Sequence, residues 1–193
     1  MRNSISSSKR SEMEERARLL EIIRQRSYEE REITLTSGRK STFYIDGKQT
    51  TLDPEGAYLA GRVFFRMIKG RAEAVGGPTL GADPIVTAVA LTSYQENHPI
   101  AAFIIRKEPK GHGKGLWIEG DKALKKGAKV AIIEDVVTTG GSLLKAIKVA
   151  EDHGLKVVQT LALVDREEGG KEQLAEAGYT LEAVFTRGEI TGK

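Results

Sequence analysis

Two adjacent acids, Glu134 and Asp135, followed after two valines by Thr138-Thr139-Gly140-Gly141-Ser142, are the residues of this chain best suited to chemistry. The apolar run before them, Val130 to Ile133, predicts a strand buried on both faces, as in a parallel sheet. The acids therefore stand at a strand's carboxyl end, where open α/β sheets bind ligands. Val136 and Val137 lead into the small-residue loop at 138–142, which opens a helix. Backbone N–H groups and hydroxyls in such a loop form a cradle for phosphate. Carboxylates suited to sugar hydroxyls beside a phosphate cradle describe a pocket for a sugar phosphate. The bland alternative is a buried strand that ends in two acids and a flexible turn. An ATP-type P-loop is excluded, because no Gly-Lys-Ser/Thr follows a four-residue gap.

A second segment concentrates charge. Between Arg106 and Gly115 stand Arg106, Lys107, Lys110 and Lys114 against the single acid Glu108, a local excess of +3 equal to that of the whole chain. Pro109 and the glycines at 111, 113 and 115 predict neither helix nor central strand. Such a segment is either a solvated surface loop or a mobile lid that closes over an anionic ligand. It directly follows the predicted strand Ile100–Ile105, so a lid would hinge at a strand's carboxyl end, where the ligand should lie. That placement favours the lid.

The elements that must position these residues alternate. Ser11-x-x-Glu14 has the form of a capping box, with a helix to about Arg26. Short strands are expected at Glu32–Leu35 and Thr42–Ile45 around a turn at Ser37–Lys40, then a helix capped by Asp53-Pro54-Glu55 and stopped at Gly70. Strands near Glu73–Gly76, Ile100–Ile105, Leu155–Val164 and Thr180–Phe185 alternate with helices near Asp83–Glu96, Gly141–Asp152 and Lys171–Ala177, with a turn at Gly77-Pro78. This pattern predicts an α/β fold with a mostly parallel central sheet flanked by helices.

Composition narrows the class. The 193 residues, 39% hydrophobic and 30% charged, suit one globular domain at 11–193 behind a flexible, Ser-rich tail at 1–10. Cysteine is absent, which excludes disulfides and thiolate metal sites and suits a reducing, cytoplasmic compartment. A net charge of +3 is too small to argue for nucleic acid, and no apolar run nears the ~20 residues of a membrane span. Neither a nucleic acid nor a membrane is expected as a partner.

The string at 130–142 resembles the phosphoribosyl-pyrophosphate motif of type I phosphoribosyltransferases. Arg-Lys-x-x-Lys-x-His-Gly at 106–113 resembles the catalytic loop of the orotate phosphoribosyltransferases within them. Leu35-Thr36-Ser37-Gly38-Arg39-Lys40-Ser41 is similar to that family's early substrate loop, and Ala162-Leu163-Val164-Asp165-Arg166 to its later Asp-Arg segment. The resemblance implies the type I phosphoribosyltransferase fold with a small N-terminal hood, and a homodimer with shared active sites. Arg106, Lys107, Lys110 and His112 would meet the pyrophosphate, with Arg106, Lys110, His112 and Asp135 as the catalytic set. Glu134 and Asp135 would hold the ribose hydroxyls, while Thr138, Thr139, Gly140, Gly141 and Ser142 would hold the 5-phosphate, with Val136 and Val137 also in the phosphoribosyl-pyrophosphate site. Thr138, Arg166 and Tyr44 would line the orotate site. Mg²⁺ would be the cofactor, held by substrate oxygens and water rather than directly by protein.

The resemblance also implies the reaction: orotate N1 displaces pyrophosphate from C1 of the ribose, giving orotidine 5-monophosphate. Three departures stand out. Some members carry a lysine where Thr36 stands and a Tyr-Lys pair where Leu80-Gly81 stands, and Ile45 replaces an aromatic; Lys48 is a candidate to compensate. A purine phosphoribosyltransferase is one rival, though such enzymes typically have aspartate at the position of Thr138. A non-catalytic sensor that binds nucleic acid is another, but no basic recognition helix is present.

Overall fold

Capped helices alternating with apolar strands build one six-stranded sheet and a two-stranded ribbon beside it. In the computed structural model, which describes residues 7–34, 40–110 and 116–192, helix α1 (Ser7–Ile22) passes through a π-helical turn at Ile23–Ser27. Strands β1 (Tyr28–Thr34) and β2 (Lys40–Ile45) then pair antiparallel as the small N-terminal ribbon. Next come α2 (Lys48–Thr51), α3 (Pro54–Ile68), β3 (Ala74–Pro78), α4 (Asp83–Gln95), β4 (Ala101–Lys110) and β5 (Leu116–Glu119). The chain ends with β6 (Lys129–Val137), α5 (Gly141–Asp152), β7 (Lys156–Asp165), α6 (Gly170–Glu176), β8 (Leu181–Thr186) and α7 (Arg187–Thr191).

The expected cap of α3 forms: the Asp53 carboxylate accepts from the N–H groups of Glu55 (3.1 Å) and Gly56 (3.0 Å). Gly70, with φ +77°, ends the same helix in the left-handed region where glycine costs least. These two residues set the span of the helix that covers one sheet face.

Strand order is β5-β4-β3-β6-β7-β8, parallel throughout except for the antiparallel edge β5. The chain starts at β3, moves outward to β4 and β5, then returns to the other side of β3 for β6. The order therefore reverses between β3 and β6, and helices cover both faces. On one face Val75, Ala131, Ile133 and Leu161 pack with Leu19, Phe64 and Val86; on the other Val130, Ile132 and Phe103 pack with Leu143, Ile147 and Leu174. A buried two-faced strand explains why β6 reads as an unbroken apolar run.

Four local expectations change. Ser11 lies inside α1 rather than at its start, and helix begins at Ser7, inside the stretch read as tail. Gly77 and Pro78 complete β3 instead of forming a turn. Arg106 to Lys110, read as loop, continue β4. Pro109 is tolerated there because β3 stops pairing at Ile105 and the register with β5 is irregular between Ile105 and Lys110, so no ladder bond needs its missing N–H. Strand β5 and the one-turn helices α2 and α7 were not anticipated. The turn at 37–40 falls largely outside the described residues. Among those described, no helix is long and apolar enough to cross a membrane.

Candidate active site

The reversal of strand order puts the carboxyl ends of β3 and β6 side by side, the position at which α/β sheets open a crevice. Strand β6 runs four residues past its apolar run, so Glu134 and Asp135 are strand residues, partly buried at that crevice. Two close backbone approaches hold Asp135. A Cβ on Gly81 would lie 2.1 Å from Asp135 Oδ1, and a Cβ on Gly47 would lie 2.9 Å from Oδ2. Glycine is thus required on both sides. The N–H of Val136 also donates to Oδ1 at 2.9 Å.

Burial dominates the electrostatics of the pair. It pushes the Glu134 carboxyl up to about 7, against the Ser142 hydrogen bond, with a further push from the Asp135 charge. Burial likewise raises Asp135, and the positive charge of Lys48 together with the Val136 N–H pulls it back. Because the folded value for Glu134 exceeds the ordinary 4.5, its contribution to stability is fully present below 4.5 and is lost as pH rises through about 7. The site is therefore a costly place for two charges. A group that donates hydrogen bonds to the charged pair lowers that cost.

The cradle forms beside them. Thr138 to Gly140 turn out of β6, and Gly140 takes φ +85° immediately before α5, whose first turn has no side-chain cap. Its first N–H groups are thus left without a side-chain acceptor, as at helix starts that bind phosphate. Gly170 braces this loop from below: a Cβ there would meet Val137 Cγ1 at 2.5 Å and the Thr138 carbonyl oxygen at 2.9 Å. The acids and the 138–142 loop are thereby brought together as expected from sequence.

Arg166 lies next to them, its N–H donating to the Val137 carbonyl at 2.9 Å. The guanidinium is buried: it donates to Glu168 Oε1 (2.8 Å) and to the Phe43 carbonyl (3.1 Å), tying the ribbon to the sheet. Tyr44 is half-buried under the Arg31 guanidinium, 3.9 Å from its ring centre. Arg106 continues β4 just past the point where the Thr79 N–H donates to the Ile105 carbonyl, and pairs with Glu119 across to β5 at 3.0 Å. Lys107 is held through its carbonyl by Lys145 Nζ at 3.0 Å, and Lys110 ends β4. His112 and Lys114 lie outside the described residues.

Sequence reasoning missed the residues that act by being small. Gly47, Gly81 and Gly170 carry no chemical group, so only the spatial approach reveals them. Glu168 was also missed, although its place two residues after Arg166 allows the local ion pair it makes.

Comparison with known proteins agrees with this geometry. The phosphoribosyl transferase domain family matches residues 70–185. The orotate phosphoribosyltransferase of Nostoc sp. is 49% identical over 171 residues, covering 89% of this chain and 82% of that protein. That of Aquifex aeolicus is 46% identical over 182 residues, covering 92% and 98%. Among solved structures, Mycobacterium tuberculosis orotate phosphoribosyltransferase in complex with phosphoribosyl pyrophosphate superposes with a TM-score of 0.75 at 34% identity, covering 92% of this chain and 99% of that one. A crevice with two buried acids beside a helix-borne phosphate cradle, on a sheet that these relatives share, places this chain in the orotate phosphoribosyltransferases of the type I phosphoribosyltransferase family.

Proposed function

We infer that this chain transfers the 5-phosphoribosyl group of phosphoribosyl pyrophosphate to N1 of orotate, through the crevice between β3 and β6. The carrying observation is the pairing of Glu134 and Asp135 with the uncapped start of α5. In this reading the 138–142 loop holds the 5-phosphate and the two acids take the ribose hydroxyls. Orotate N1, having lost its proton, forms a bond to C1 as the C1–oxygen bond breaks, and the electron pair leaves with pyrophosphate. The transition state resembles an oxocarbenium ion, so fixed carboxylates near the ribose stabilise positive charge that is absent from the ground state.

Arg106, Lys107, Lys110 and His112 are assigned to the pyrophosphate on the family pattern, and Arg166, Thr138 and Tyr44 to orotate. Arg166 reaches orotate on condition that Glu168 shares or releases its guanidinium, since that carboxylate now occupies part of the fork. The donors around the cradle are N–H groups and hydroxyls, suited to anions. Mg²⁺ would accordingly be held by substrate oxygens and water rather than by these residues, and would supply charge neutralisation of the leaving group.

Incubation with phosphoribosyl pyrophosphate, Mg²⁺ and a base tests the assignment. Pyrophosphate should appear with orotate and not with adenine or hypoxanthine. Equal turnover of a purine, or none of orotate, would reject it.

A homodimer is proposed with it. The support is an apolar groove of about 730 Å³ between α2, α3 and α4, rimmed by exposed Leu52, Tyr58, Leu80 and Leu91, that opens beside the Gly81 loop. Patches of this kind on soluble proteins mark interaction surfaces. Sedimentation at micromolar concentration should give twice the chain mass; a monomer would end this part of the reading. The absence of cysteine supports a cytoplasmic setting.

A further inference from the structure

The crevice holds two partly buried acids; the cations assigned to pyrophosphate lie on strand β4 or outside the described residues, and Arg166 is already paired with Glu168. A further cation is built in beside Asp135. Residues 46–48 turn directly after β2, and Gly47 lets that turn pack against the Asp135 side chain at a separation no other residue permits. Lys48 Nζ is fixed on Asp46 Oδ1 at 2.6 Å, the Lys48 N–H reaches the same oxygen at 3.2 Å, and Gln49 Nε2 holds Asp46 Oδ2 at 3.2 Å. Asp46 is thus a clamp for the ammonium, held in turn from the start of α2. The Lys48 side chain keeps 40% of its exposure and lines the apolar groove with Leu80 and Asp83, on either side of the Gly81 that approaches Asp135.

We propose that Lys48, anchored on Asp46, is a positioning residue for the transfer: it balances the buried acidic pair and holds the Asp135 carboxylate charged and aimed at the ribose. This deepens the phosphoribosyl-transfer reading and rests on it. The charged groups around Asp135 are few. Lys48 and Asp46 face it from the turn after β2, and Glu134 precedes it on β6; the β3 side presents Gly81, with Asp83 one turn on and bonded to the Thr79 hydroxyl at 2.7 Å. Within that set Lys48 is the one whose charge draws the Asp135 carboxyl down against burial, while Asp46 pushes it up. Lys48 itself is raised, first by the Asp46 hydrogen bond, and feels the Asp135 charge as well. Thr36 and Gly81 leave this chain without two cations that some relatives place on substrate. Lys48 offers a cation from a different element.

Lys48→Met and Lys48→Arg in the full chain separate this role from a structural one. Met keeps the stem length and removes the charge. Without the ammonium, Asp135 is raised further, so the ionised form is lost at a higher pH. The acidic limb of the kcat/KM profile for phosphoribosyl pyrophosphate should then move to higher pH, with kcat/KM at neutral pH falling about 10-fold or more. Lys48→Arg should restore most of the loss and return the limb, and the Tm of both variants should stay within roughly 3 °C of the parent. An unmoved limb in Lys48→Met would overturn the inference, as would loss of activity that follows loss of Tm. Failure of Arg to rescue would also overturn it. The parent enzyme is run in parallel: if it does not turn over orotate, the functional reading itself fails, whereas an active parent with an unmoved limb rejects Lys48 alone.

Discussion

Asp135→Asn should lower kcat/KM by about 100-fold to 1000-fold, the scale of one lost electrostatic contact to a transition state. The fold should not notice. Asn has nearly the same shape and its amide oxygen can still accept from the Val136 N–H, so it fits beside Gly47 and Gly81 as Asp135 does. The charge is what changes. Burial makes the ionised carboxylate costly in the folded state, since it raises Asp135 above its ordinary value. Sign follows from linkage: a raised acid is a stabilising proton acceptor at low pH and a liability once ionised. Removing the charge at neutral pH should therefore leave Tm unchanged or slightly higher, even as turnover collapses. A group that costs stability and is needed for rate is kept for function. Near-parental kcat/KM in Asp135→Asn would remove the residue from the mechanism, and a large fall in Tm would show that it holds the sheet together instead.

How far the chain could be read depended on where the information sits. The α/β class, the central β6 and the capped start of α3 were legible because buried strands and N-caps are written in consecutive residue types: Val130–Ile133 for one, Asp53-Pro54-Glu55 for the other. The candidate crevice was legible too, since its acids and its loop lie within nine residues. Strand β5 was not. Its four residues follow a glycine-rich stretch and pair only with the edge of β4, so the local pattern carries little of their strand character. Pro109 misled for a related reason. Proline argues against strand only where a ladder bond is demanded, and past Ile105 none is.

The site residues divide in the same way. Acids and hydroxyls announce themselves by type. Spacers do not: Gly47, Gly81 and Gly170 are recognisable only when Asp135, Val137 and Thr138 are seen a few ångströms away. Arg166 shows the opposite gap. Its type suits a carboxylate ligand, but sequence could not show that Glu168 and the Phe43 carbonyl already use part of its fork.

Those spacers lead to the sharpest expectation for this branch of the family. Relatives with a Tyr-Lys pair at positions 80–81 suggest that Gly81→Lys would add a useful substrate cation. Here the geometry argues the reverse. The new Cβ would start 2.1 Å from Asp135 Oδ1 and 2.5 Å from its Cγ, before any of the lysine stem is placed. The turn at Gly47 approaches the same side chain closely, since a Cβ there would lie 2.9 Å from Asp135 Cβ and Oδ2. Either the 79–82 loop or the acid must shift, and a displacement near 1 Å at a reacting centre costs about 100-fold in rate. Gly81→Lys should therefore lose about that factor in kcat/KM, and Gly81→Ala should lose nearly as much, since the collision is with the first carbon rather than with the charge. Leu80→Lys separates charge from collision: its side chain is 65% exposed, so a cation there meets no such wall, and because Leu80 rims the proposed dimer groove its kcat/KM is compared on the dimeric species, where it should change only a few-fold. Steady-state kinetics on the three variants decides the matter. A silent Gly81→Ala would show that the loop relaxes freely and that the glycine pincer on Asp135 is not what holds it. Comparable losses in Ala and Lys would show that position 81 is closed to a side chain whatever its charge.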